Sequence, residues 1–207
     1  MSRKAMTSEE VSAERERICQ VGTYLFVEHG QAGMTMRRIA GELGYTAMAL
    51  YRYFPGGKDE VLAAVRTAGF SRLATRLESA ARSTKDPKKR MFAVAYALVG
   101  FMQDEPNTYR QLFELPQFVF GMYPEMDEAL ERAWRPAVDA VTEVVRAGIL
   151  TGDPEALTNL FFAGLHGVIS FHLSGDQDAG KSLKRLVGPM LESLFRGNAA
   201  PGSARGI

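Results

Sequence analysis

Apolar residues recur at intervals of three and four along most of the chain, and no stretch alternates with the period of two expected of a half-buried strand. Val11, Ile18, Val21, Leu25 and Phe26 form the stripe of a first helix. It opens at Ser8, with Glu9 and Glu10 in its first turn, and stops at EHGQAG. Thr35 caps a short helix from Met36 to Leu43. Gly44 interrupts the pattern, and a second short helix runs from about Thr46 to Tyr53. PGG breaks the chain again, and Lys58 begins a long helix to about Arg82.

STKDPKK marks the next boundary, with Pro87 suited to a first helical turn. A helix through KRMFAVAYALVGFMQDE and a short one near NTYRQLFEL follow. Residues 116–124, with two prolines and a glycine, read as a loop or broken helix. A helix from Pro124 to about Ala147 ends at GILTGDP, and Asp153 caps a strongly apolar helix. SGDQDAG separates that from a last helix, Lys181 to Phe195, and RGNAAPGSARGI reads as a disordered tail. The predicted class is all-α, with about nine helices and no internal repeat.

The pair of short helices around Gly44 carries the most information. Ala40, in the middle of the first, is small enough for a close helix crossing. Gly44 sits where the turn needs a positive φ, and Ile39, Leu43 and Leu50 supply the inward faces. This size pattern is that of a helix-turn-helix, although helical hairpins that bind no DNA share it.

Charge restricts where a nucleic-acid surface can lie. The net charge of the 207 residues is +1, so no global polybasic signal exists. Residues 61–90 hold eight Lys/Arg against two Asp/Glu, whereas residues 91–207 hold nine against fourteen. Any DNA surface must therefore be local and upstream. The single cysteine, Cys19, builds no disulfide framework or zinc site within one chain and reads as a buried thiol. The N-terminus lacks the apolar core of a signal peptide. Residues 156–173 approach membrane-spanning length but include Thr158, Asn159, His166, Ser170 and His172, so they read as a helix buried on several sides. The chain reads as cytoplasmic.

GMTMRRIAGELGYTAMALYRYFPGGKDEVL resembles the DNA-binding domain of TetR-type transcriptional regulators. The resemblance rests on Gly33, Thr35, Ile39, Ala40, Gly44, Leu50, Tyr51, Tyr53, Phe54 and Lys58. One departure is the PGG spacer, three residues where the family usually has two. The resemblance implies that the second short helix enters a major groove. Its exposed face is then Thr46, Ala47, Met48, Ala49 and Arg52, with Tyr51 at the edge. Ala47, Met48 and Ala49 suit thymine methyls and close backbone approach. Tyr51 and Tyr53, which alone read as partly buried core, become DNA contacts. Tyr45 is part core and part contact. Lys58 is expected on a phosphate at the start of its helix. Arg37 matches a position that reaches a base edge, and Thr35 and Arg38 complete the expected interface. The resemblance places a helix-turn-helix domain at 8–66, an effector-binding and dimerisation domain at 67–196, and the tail at 197–207.

In the second half, twelve of the twenty aromatic residues fall between 91 and 171, mixed with methionines. Such residues on several helices line apolar cavities as well as ordinary cores. The expected effector residues are Tyr96, Met102, Phe113, Phe118, Phe120, Met122, Trp134, Phe162 and His166, with 116–124 as an entrance. LFFAGLHGVISF resembles a C-terminal subtype marked by Trp, three residues and His-Gly. Phe162 stands at the Trp position, before His166-Gly167. Residues 154–174 and 181–195 resemble the helices that build the family's four-helix dimer interface.

There is no HExxH and no phosphate-binding glycine loop, and no acidic residue completes the His166/Ser170 pair. The expectation is thus a homodimeric, ligand-responsive regulator, a repressor released from a near-palindromic DNA operator by a small apolar effector. No enzymatic site, metal or cofactor is expected. The alternative is a helical small-molecule-binding or protein-interaction module without DNA binding.

Overall fold

The computed structural model of the chain describes residues 6–114, 121–174 and 179–201. Among the described residues lie nine α-helices and no strand. They are α1 (Ser8–Gly33), α2 (Met36–Leu43), α3 (Ala47–Leu50), α4 (Gly57–Arg82), α5 (Pro87–Asp104), α6 (Pro106–Phe113), α7 (Pro124–Arg146), α8 (Pro154–Leu173) and α9 (Ala179–Gly197). The all-α reading holds, and Gly and Pro mark most of the boundaries as expected.

Local chemistry sets the helix ends. Thr7, one residue before the expected start, caps α1. Its hydroxyl accepts from Glu10 N (3.2 Å), and the Glu10 carboxylate accepts from Thr7 N (2.8 Å). At Gly30, φ is +66°, which breaks the helix inside EHGQAG before one further turn. Gly44 closes α2 at φ +69°, a conformation a side chain resists. The helix α3 is shorter than the expected Thr46–Tyr53. After Leu50 the bonds tighten to i→i−3, with Tyr53 N donating to Leu50 O at 2.9 Å. Pro55 disfavours helical backbone at Phe54, which stops the helix there.

The described residues divide into two compact units. The first is Met1–Gly69 with Pro116–Glu128, and the second is Phe70–Leu115 with Ala129–Ile207. Residues 121–128 thus group with the N-terminal helices instead of with the residues that surround them in sequence. In the first unit Ile18, Leu25, Ile39, Ala40, Leu50, Phe54 and Val61 form the core. Gly22 lets α1 approach α4: a Cβ there would lie 3.1 Å from Val61 Cγ1. Cys19 belongs to this packing, and burial pushes its thiol up to about 11.

In the second unit, α8 buries Leu157, Phe161, Leu165 and Ile169, while α9 buries Leu183, Val187, Leu191 and Phe195. The two helices pack closely, and a Cβ on Gly164 would lie 2.8 Å from Met190 Sδ. Paired charges tie the outer helices. Arg132 donates to both Glu78 oxygens at 2.7 and 2.9 Å, and Arg72 holds Glu105 at 2.7–3.2 Å. The expected tail needs one correction. Asn198 O accepts from Thr151 N at 2.9 Å and Ala200 N donates to Ile149 O at 3.0 Å, so the first residues after α9 form a short bridge. Residues 202–207 lie outside the described residues.

The helix α4 opens at Gly57 with φ +67°, and a Cβ there would meet Tyr51 Cε1 at 3.2 Å. Gly57→Ala is therefore strained twice, by its backbone and by the ring. The expected cost is about 2 kcal/mol, read as a lower denaturant midpoint with an unchanged m-value.

Candidate nucleic-acid interface and effector cavity

Thr35 caps α2, its hydroxyl accepting from Arg38 N at 3.2 Å, and Thr46 caps α3, accepting from Ala49 N at 3.3 Å. The two short helices are thus fixed at their starts by the same device. Leu50 and Phe54 are fully buried, which turns the rest of α3 outward. Met48 is 77% exposed and Ala47 and Ala49 are half-buried. Tyr45 and Tyr51 are exposed, as are Arg37, Arg38 and Arg52. Arg38 donates to Gly33 O at 3.3 Å, whereas the side chains of Arg37 and Arg52 make no hydrogen bond or ion pair among the described residues.

Two expected contacts are already occupied. The Tyr53 hydroxyl donates to Met6 Sδ at 3.2 Å. The Lys58 ammonium donates to Gln31 O at 2.9 Å, so it offsets the C-terminal dipole of α1, which has no basic residue in its own last turn. An ammonium has two further N–H groups, so a phosphate would have to share it.

The second unit encloses an apolar cavity of about 60 Å³. Of the expected effector residues, Phe113, Trp134 and Phe162 line it. Trp134 meets Phe162 edge-on at 4.9 Å, and Phe162 meets Phe113 at 5.4 Å. His166 stacks on Phe162 at 5.7 Å without lining the cavity. Its Nδ1 is 2.7 Å from the Tyr109 hydroxyl, and its Nε2 is 3.4 Å from Ser170 Oγ. Burial pushes the Tyr109 hydroxyl well above the usual phenol range. Which of the two groups donates follows from the imidazole tautomer.

Tyr96, Met102 and Met122 do not line this cavity. Tyr96 is exposed on α5, Met102 is buried elsewhere, and Met122 is exposed and groups with the first unit. Phe118 and Phe120 lie outside the described residues. Sequence reasoning missed Phe70, Leu73 and Leu77 of α4 and Ala133, Ala137 and Ala140 of α7. Their helical spacing reads as plain core, and only the packing shows that they border a gap.

Two family models match the sequence. Residues 18–65 match the bacterial regulatory proteins of the tetR family, and residues 91–194 match the tetracyclin repressor-like C-terminal domain. The chain belongs to the TetR family. The HTH-type transcriptional regulator Mb1846 of Mycobacterium bovis is 31% identical over 139 residues, 66% of this chain and 58% of that protein. The transcriptional activator FasR of Mycolicibacterium smegmatis is 25% identical over 131 residues, 63% of this chain and 58% of that protein. The matches thus span less than two thirds of these curated relatives. A Rhodococcus sp. RHA1 protein of unknown function shares the fold at 23% identity and TM-score 0.71, covering 89% of this chain and 94% of that one.

The N-terminal TetR match contains α2, α3 and Lys58 but begins after Arg15, which is the residue that sequence reasoning overlooked. From α1, Arg15 donates to the Tyr53 carbonyl and to Glu60 at 3.2 Å, and its guanidinium lies 4.0 Å from the centre of the Phe54 ring. It holds the end of the α3 turn, the first turn of α4 and the inward aromatic together. Nothing in the spacing of SAERER distinguishes it from a solvated charge. Arg15→Ala should cost about 2 kcal/mol, because it removes charge-assisted hydrogen bonds and a cation–π contact. Arg15→Lys should recover only part, since a lysine cannot present the planar fork. Thermal unfolding of both variants checks the order.

Proposed function

We propose that this chain is a homodimeric, ligand-responsive transcriptional regulator acting on operator DNA in the cytoplasm. One observation carries the reading. A capped helix-turn-helix exposes a short helix whose outward face has no partner among the described residues, with the uncommitted Arg37 and Arg52 nearby. In the bound state α3 lies in the major groove, Arg37 reaches a base edge, and Thr46, Tyr51, Tyr53 and Arg52 contact the backbone. Two subunits then meet half-sites about one helical turn apart, so the operator is a near-palindrome.

The partner in the dimer is a second copy, docked through α8 and α9. Leu160, Ala163, Gly167 and Phe171 are exposed along one side of α8, and Leu186 is exposed on α9. A helix apolar on both sides needs cover on both. Leu160→Glu is expected to convert the dimer to a folded monomer, seen as a halved mass in light scattering and a loss of operator binding.

The effector is a small apolar molecule held by the ring cluster of Phe113, Trp134 and Phe162. Drug-sized ligands occupy roughly 300–1,000 Å³, so the present cavity must open to admit one. Release from DNA then follows if the opened state binds DNA less well, and only to the extent of the effector's differential affinity. Repression is supported by the repressor-like C-terminal match, while the relative FasR is named an activator. A promoter fusion in cells with and without the protein reads the sign directly.

The decisive measurement is binding to DNA from upstream of the protein's own gene across a salt series. A specific complex that weakens steeply with salt is expected. Arg37→Ala should relax preference at one base pair per half-site, and Arg52→Ala should weaken all sequences alike while flattening the salt slope. Absence of any salt-sensitive DNA preference, alongside ligand binding, would instead make the chain a small-molecule-binding module.

A further inference from the structure

The face that α3 presents has little hydrogen-bonding chemistry. From Ala47 to Leu50 no side chain carries nitrogen or oxygen. The hydroxyl of Thr46 is engaged as the cap of its own helix. Met48 is the longest projection on that face, and it is the most exposed of the large apolar side chains among the described residues. Leu50, two residues on, is fully buried, so α3 has an inward anchor and an outward thioether within one turn. The two alanines beside Met48 leave room for the helix backbone to come close to a surface. An unbranched thioether adapts its shape to a small apolar group at little cost.

In a major groove, the distinctive apolar feature on the base edges is the 5-methyl group of thymine. Cytosine bears only a hydrogen at that carbon, and burying the neighbouring polar groups of a base without a partner is unfavourable. We infer that Met48 reads a thymine methyl group in each operator half-site, so that specificity at this position depends on the methyl and not on a hydrogen-bond pattern. The inference rests on the DNA-binding reading above and deepens it. Arg37, at the start of α2, and Arg52, beyond the end of α3, supply the polar contacts on either side of this methyl-reading position.

The test uses the full chain and an operator selected by it from random duplex DNA. Each thymine is replaced in turn by deoxyuridine, symmetrically in both half-sites, and affinity is measured at fixed salt. Losing one buried methyl-sized contact corresponds to about a fourfold loss of affinity. One symmetric position is therefore expected to weaken by about sixteenfold when both half-sites change. At that position 5-methylcytosine should bind more tightly than cytosine, because it restores the methyl. Met48→Ala should lower affinity for the thymine operator to that for the uracil operator and erase the difference, with the salt slope unchanged. The uracil arm alters only the DNA, so its result does not depend on how a variant folds. An operator indifferent to uracil at every position, or a uracil effect that persists in Met48→Ala, overturns this inference while leaving the regulator reading intact. A chain that selects no DNA sequence overturns both.

Discussion

A single turn of helix has almost no stability of its own, because nucleation fixes several residues for one hydrogen bond. The helix α3 is four residues long, and everything proposed for its outward face depends on how its neighbours hold it. Leu50 and Phe54 supply the apolar attachment, both fully buried. Gly44 and Gly57 supply the two positive-φ corners at which the chain enters and leaves. Arg15 closes the arrangement from α1, through the Tyr53 carbonyl, Glu60 and the Phe54 ring. The outward face of α3 is thus held in place by residues that do not belong to it.

The same geometry explains how the tyrosines of GYTAMALYRYFPGGK divide their work. The Tyr51 ring lies against Gly57, so a side chain there would crowd it. Tyr53 gives its carbonyl to Arg15 and its hydroxyl to Met6, so it is more deeply engaged in the scaffold than Tyr51 or Tyr45. Lys58 serves the end of α1 before it can serve a ligand. Scaffold and surface share side chains here, and the charge left uncommitted falls to Arg37 and Arg52.

In the second unit the constraint is apolar excess. The helix α8 buries one side on its neighbours and leaves Leu160 and Phe171 in water, which is the pattern of a helix that expects a second cover. Its polar residues are satisfied locally. Thr158 donates to Pro154 O at 2.7 Å, and His166 sits between Tyr109 and Ser170. The ring cluster beside them is packed closely enough that the gap it leaves is small.

Helix positions were legible because periodicity, caps and Gly/Pro breaks are local signals: Thr35, Pro87, Asp153 and Gly44 act where the sequence puts them. The crossing of the two short helices was legible for the same reason, since small residues and a glycine stand at fixed offsets, while their reading as a DNA-binding helix-turn-helix rested on the family resemblance. Other features were not. Arg15 looks like any exposed arginine until Tyr53, Glu60 and Phe54 are brought to it from about forty residues away. Tyr96 and Met122 fit an aromatic-and-methionine cavity by composition, yet both are exposed, while the alanines of α7 border the gap. The sequence by itself determined which segments are helical and which side chains must turn inward, because those follow from neighbours three or four residues away. Only the tertiary structure decided which inward residues leave a space and which charges are already paired, because both depend on groups distant along the chain meeting at ångström range.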